Sequence, residues 1–215
     1  MKKRSLILAA IGTLSFGGIA ALHAQEAPQL PGQMDASRIT GGSYSTDPAH
    51  TLVQWNVSHF GFNDYFGLFG DIEGTLVLDP ANPAAAQVDI TVPIAAVTVA
   101  SEGLRDHLLR PGSDGGDPDF FGPAPAPARF TSTMVHPFSP TEAVIMGNLT
   151  MNGVTRPVSI LAEFTGAGAN PMSSVETVGF HGTTTITRSE FGVDYAVPFV
   201  SDEVELTISA AFEKD

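Results

Sequence analysis

The sequence predicts an all-β chain folded as an eight-stranded antiparallel β-barrel with one short helix. Three observations carry the prediction. Apolar residues recur with period two in run after run, while helical periodicity is scarce. The 22 glycines and 16 prolines are spread as punctuation between those runs. The count of alternating runs is eight, and closing eight strands on themselves removes the exposed edges that an open sheet would present.

The first residues read as a targeting signal. Lys2, Lys3 and Arg4 form a basic start, an apolar stretch follows, and Ala-Leu-His-Ala ending at Ala24 resembles a cleavage site. Residues 1–24 are therefore expected to be removed, leaving no transmembrane span and a periplasmic or secreted chain. Their loss removes three cations and no acid, so the formal charge of −13 becomes more negative by three. Such a chain repels phosphate backbones, which makes nucleic acid a poor partner. Cysteine is absent, so neither a lipid-anchored N-terminus nor a disulfide framework is available. Residues 25–43 are rich in Pro, Gly and small polar residues and read as a flexible N-terminal arm.

Residues 50–79 read as one long hairpin. Thr51, Val53, Trp55, Val57 and His59 share one strand face. Gly61 to Tyr65 carries turn chemistry. Leu68, Ile72, Leu76 and Leu78 are then assigned to the apolar face of the returning strand. The glycines at 67, 70 and 74 precede no helix and so form no nucleotide loop; in a strand they mark bends or close approach. Residues 87–92 form a third strand ended by Pro93. The helix is placed at 101–109, with Ser101 as its cap and Leu104 and Leu108 on one face. Residues 110–128 are a long irregular excursion with Phe120 and Phe121 in its middle, the kind of loop that is often functional. Five more strands follow, at 129–135, 142–151, 156–164, 178–188 and 204–213. Asn152-Gly153 is a strong hairpin turn, and residues 166–171 are assigned to a loop.

Motifs for catalysis and metals are missing. No HxH, HExxH or GxSxG occurs, and no pair of carboxylates stands out for glycoside chemistry. Lys214 is the only lysine beyond the signal, which excludes a P-loop or a core Schiff base. No catalytic residue, metal ligand or cofactor is assigned. The aromatic crowding around Trp55, Phe60, Phe62, Tyr65, Phe66 and Phe69 fits barrel core and the wall of a hollow barrel equally well, because packed and hollow barrels share one pattern.

Several segments resemble, in order, the YceI-like family, also described as a polyisoprenoid-binding or lipid-binding lipocalin-like domain. Asp47-Pro48-Ala49-His50 leads to Val53-Gln54-Trp55 and Val57-Ser58-His59. Gly67-Leu68-Phe69-Gly70, Arg105-Asp106 and Arg129-Phe130-Thr131-Ser132 follow. The stretch 147–158 and Arg188 to Val193 complete the match. The resemblance spans residues 44–213 and implies a barrel domain over 44–215 with an elongated apolar channel. It further implies a non-enzymatic protein that binds an isoprenoid or other long-chain lipid, such as a polyprenyl phosphate or a quinone, with transport, storage or stress protection as its purpose. A homodimer and a periplasmic address are part of the same expectation. The chain departs from the family in having His107 directly after Asp106, a stretched link at 111–116, and Gly122 in place of an acid.

On that reading Val53, Trp55, Leu68, Ile72, Ile90, Leu108, Phe120, Phe121, Phe130, Ile160 and Ile208 wall the channel. Arg105, His107, Arg129 and Arg188 are the candidates to meet a head group, because cations are scarce elsewhere. Two alternatives stand beside it. One is a hydrolase or isomerase acting on an apolar substrate, with His107 and Asp106 as acid and base. The other is a packed barrel used as a protein-interaction module.

Overall fold

The structure, a computed structural model, describes residues 29–215; the expected signal at 1–24 lies outside the described residues. Ten strand segments build one closed sheet: β1 (Gly42–Thr46), β2 (Leu52–His59), β3 (Asn63–Phe69), β4 (Glu73–Leu78), β5 (Gln87–Val92), β6 (Ala128–Pro137), β7 (Glu142–Met151), β8 (Val154–Ala169), β9 (Glu176–Thr187) and β10 (Glu203–Lys214). Every pairing is antiparallel. The eight staves of the barrel are recovered once two of them are seen to be broken. β1 and β2 lie end to end along β10, with Thr46 opposite Phe212 and Leu52 opposite Ser209. Across the gap, the Thr51 hydroxyl donates to the Ala211 carbonyl at 3.1 Å, and the Ala211 N–H donates back at 3.2 Å. β4 and β3 likewise continue one another beside β1 and β2.

The break between β3 and β4 moves one predicted residue. Asp71 adopts φ 52°, a left-handed conformation that bends the chain. Phe69 and Ile72 therefore both point inward, although three positions apart. Leu68, assigned to the inner face on the assumption of an unbroken period of two, is 36% exposed. Its backbone instead pairs with Thr98, which covers the outer margin of β3 through N–H···O contacts of 2.9 and 2.8 Å.

The helix α1 (Glu102–Leu109) forms where expected. Its cap is Ser101, whose hydroxyl accepts the Leu104 N–H at 3.2 Å, and Leu108 is buried. The hairpin at Asn152-Gly153 is also as expected, with φ of 51° and 75°. The run 166–169, read as a loop, extends β8 instead and pairs with β9. Its glycines admit the N-terminal segment: a Cβ on Gly168 would lie 2.0 Å from the Pro31 carbonyl oxygen. There Gln33 and Ala167 exchange backbone hydrogen bonds of 3.1 and 2.9 Å. The end of the predicted arm, Gly42-Ser43, belongs to β1.

The seam where β1 meets β10 is held by a polar clasp. Tyr44 is fully buried, and its hydroxyl donates to Glu176 Oε1 at 2.7 Å and accepts the Gly41 N–H at 3.1 Å. The Lys214 ammonium donates to the Gly41 carbonyl at 2.8 Å and to the Thr40 hydroxyl. Burial, followed by the Glu176 carboxylate, pushes the Tyr44 phenol up to about 12. An ordinary tyrosine titrates near 10. The folded state thus holds this proton more tightly than the unfolded chain does. The stabilisation is complete below pH about 10 and disappears as pH rises through about 12. Urea denaturation of wild type should show stability falling over that window. The Tyr44→Phe variant should show a shallower fall, and equal slopes for the two proteins would remove Tyr44 as the cause.

Candidate functional site: an apolar cavity through the barrel

The barrel is hollow. A cavity of about 980 Å³ runs through it, at the upper end of the roughly 300–1,000 Å³ typical of small-molecule sites. Its position follows from the register. β2, β10, β9 and β8 each turn alternate side chains inward, so Trp55 meets Leu206 and Val53 meets Ile208 across one pairing. The wall is almost wholly aliphatic and aromatic.

Ten of the eleven predicted wall residues line the cavity: Val53, Trp55, Ile72, Ile90, Leu108, Phe120, Phe121, Phe130, Ile160 and Ile208. Leu68 does not, for the reason given above, and Phe69 occupies its place. The Trp55 ring lies over Gly67, where a Cβ would come within 2.3 Å of it, and Tyr65 stacks on Trp55 at 6.2 Å. Gly67 therefore makes room for a neighbouring side chain rather than for a ligand. Gly182, Ala162 and Ala143 sit side by side on β9, β8 and β7 and also line the cavity, keeping it wide there.

The four candidate head-group residues divide. His107 and Arg188 are on the wall; Arg105 is exposed on α1, and Arg129 lies on the outer face, where its guanidinium pairs with Asp89 at 2.8 Å. The Asp89 pairing uses a fork of Arg129 and holds the Asp89 carboxyl below its ordinary value. Arg188 is buried. Its Nε and two terminal nitrogens donate to the carbonyls of Ser201 at 2.8 Å, Val193 at 2.8 Å and Val200 at 3.0 Å. Three of its five N–H groups thus bind the segment that crosses this end of the barrel, and burial lowers its pKa.

His107 joins three segments at the same end. Its Nε2 lies 2.7 Å from Asp119 Oδ2, which also accepts from Arg110 at 2.8 Å. Arg110 and then His107 hold the Asp119 carboxyl below the usual carboxylate range. Phe120 and Tyr195 each meet the imidazole edge-on at 5.1 Å. The acid expected beside His107, Asp106, is exposed and forms no side-chain hydrogen bond among the described residues; Asp119 takes that place. The residues that sequence reasoning missed, Asp119 and Tyr195, lie in irregular segments without periodicity. Only the stretched loop before Phe120 hinted at one of them. Among the described residues no group of three or more His, Asp or Glu gathers in metal-binding proximity, and no helix is long and apolar enough to cross a membrane.

Comparisons with known proteins agree with this architecture. The model of the YceI-like domain matches residues 44–212. A UPF0312 protein of Shewanella baltica is 37% identical over 161 residues, covering 74% of this chain and 80% of the relative. A UPF0312 protein of Pseudomonas aeruginosa is 33% identical over 177 residues, covering 81% and 88%. Among solved structures, Burkholderia cenocepacia BcnA superposes with a TM-score of 0.64 at 22% identity, covering 77% of this chain and 98% of that one. A polyisoprenoid-binding domain from Saccharophagus degradans, implicated in plant cell wall breakdown, superposes with a TM-score of 0.55 at 11% identity, covering 80% and 98%.

Proposed function

Because this chain belongs to the YceI-like family, we propose that it is a non-enzymatic lipid-binding protein that holds a long apolar chain, an isoprenoid in the first instance, inside its barrel. The observation that carries the proposal is the continuous apolar cavity of about 980 Å³. Water in such a space gains few hydrogen bonds, whereas a hydrocarbon chain gains contacts along its whole length. The comparisons support it through the shared family and fold and through a structural neighbour described as polyisoprenoid-binding. The signal-like N-terminus supports a periplasmic or secreted address, where transport, storage or stress protection are the roles such cargo would serve.

The wall favours the tail over the head. Arg105 and Arg129 face away from the cavity, and most of the donors of Arg188 are engaged by carbonyls. His107, beside Asp119, is the polar group best placed to meet a head group at the helix end of the channel. A quinone or a prenyl alcohol fits these surroundings better than a doubly charged phosphate, which would need unpaired cations. Organic extraction of the purified protein followed by mass spectrometry should release an isoprenoid or another long-chain lipid, and lipid-free protein should take one up. Protein that is recovered empty and cannot be loaded with any such chain would sink the proposal.

A further inference from the structure

From the exposed aromatics at one end of the barrel we infer a docking surface for a charge-neutral lipid bilayer, through which cargo enters the cavity. The inference rests on the apolar-cargo reading above. Two loops meet there, the β2–β3 turn and the segment 195–200. Phe62 is 89% exposed and Phe199 67%, and Phe60 is half exposed. Scattered apolar residues on a surface need no explanation, but Phe60 and Phe199 are joined, and Phe62 stands beside them in the same turn as Phe60. Phe60 stacks on Phe199 at 6.2 Å, and its N–H donates to the Phe199 carbonyl at 2.7 Å.

Both loops hold their aromatics at a conformational cost. Phe60 has φ 55° and Ala196 φ 61°, a region that a bulky side chain such as Phe60 rarely adopts. The patch is also continuous with the cavity, since Phe60, Tyr195, Ala196 and Val200 line it from the same loops. An apolar chain can therefore pass from a bilayer to the barrel interior along apolar surface.

Charge selects the kind of bilayer. Residues 59–66 and 193–200 carry Asp64 and Asp194 and no Lys or Arg, on a chain whose formal charge is already −13. Anionic lipid is repelled, and the aromatic rings supply the binding at the head-group level of a neutral surface. A second copy of the chain seated on this patch would instead cover the cavity mouth of both molecules.

Vesicle flotation tests the inference. Wild type should float with phosphatidylcholine vesicles, and less so when phosphatidylglycerol is added at low salt. The double variant Phe62→Ser, Phe199→Ser should bind about a hundredfold more weakly, roughly tenfold for each ring withdrawn from the bilayer. Met172→Ser, a change at an equally exposed residue at the opposite end, should float as wild type does. Circular dichroism checks that the variants fold. The double variant should still load a long isoprenoid alcohol delivered from cyclodextrin, while loading from vesicles slows. Wild type that does not float, a double variant that floats undiminished, or substitutions that change only a monomer–dimer balance would each overturn the docking surface. Flotation without loading from cyclodextrin would refute the cargo reading and leave the docking surface standing.

Discussion

Arg188→Met is expected to destabilise the protein by about 3–5 kcal/mol, lowering the thermal midpoint by about 6–20 °C. The side chain is buried and donates to three backbone carbonyls, those of Val193, Val200 and Ser201. Methionine has similar length and leaves no large void, so the loss comes from the three carbonyls that no longer have a donor. Val200 makes only an isolated bridge with His59, and among the described residues no backbone N–H outside the strand ladders donates to these three carbonyls, so nothing stands ready to replace the guanidinium. Arg188→Lys should recover less than half of the loss, because one ammonium cannot span the fork. Differential scanning calorimetry checks both. A midpoint within about 2 °C of wild type for Arg188→Met would show that the segment is held by its apolar contacts instead.

Ala162→Phe should lower affinity for a long isoprenoid by about ten- to a hundredfold and leave the fold intact. Ala162 faces the cavity between Gly182 on β9 and Ala143 on β7. A phenyl ring there projects into open space rather than into packed core, so the overpacking cost of about 1–3 kcal/mol falls on the ligand. In an empty barrel the same ring buries its own surface, and the thermal midpoint should hold or rise. Titration of lipid-free protein with a long isoprenoid alcohol, followed by the emission of Trp55, the single tryptophan, measures the change. Trp55 lies on the cavity wall and so senses the occupant directly. Unaltered affinity in Ala162→Phe would show that the chain binds elsewhere.

Strand periodicity placed seven of the ten correctly assigned wall residues, Leu108, Phe120 and Phe121 coming from the helix and the long loop, and the reason is geometric. A strand has period two, so an inward assignment survives any error in which strand pairs with which. It fails only where the chain breaks the period, and Asp71 with its positive φ does so between Phe69 and Ile72. Leu68 was displaced by that single bend. The arginines show a different limit. Arg129 and Arg188 are alike in the sequence, but one pairs with Asp89 on the outer face and the other is spent on carbonyls from residues 193–201. A partner forty residues away, as for Arg129, or carbonyls presented by an irregular segment, as for Arg188, leave no periodic pattern.

The alternation, the turn at Asn152-Gly153, the capped helix, and hence a barrel with one apolar face turned inward are all legible in the sequence. These depend on neighbours within a few residues, and local chemistry encodes them. Whether the barrel is packed or hollow depended on side chains from all eight staves meeting at a common level. Glycine and alanine at 182, 162 and 143 leave space only because the register sets them side by side. The joining of His107 to Asp119 and of Phe60 to Phe199 likewise came from the helix and loops that the closed sheet brings to the same end. Volume and proximity are properties of the assembled sheet, and only the tertiary structure could decide them.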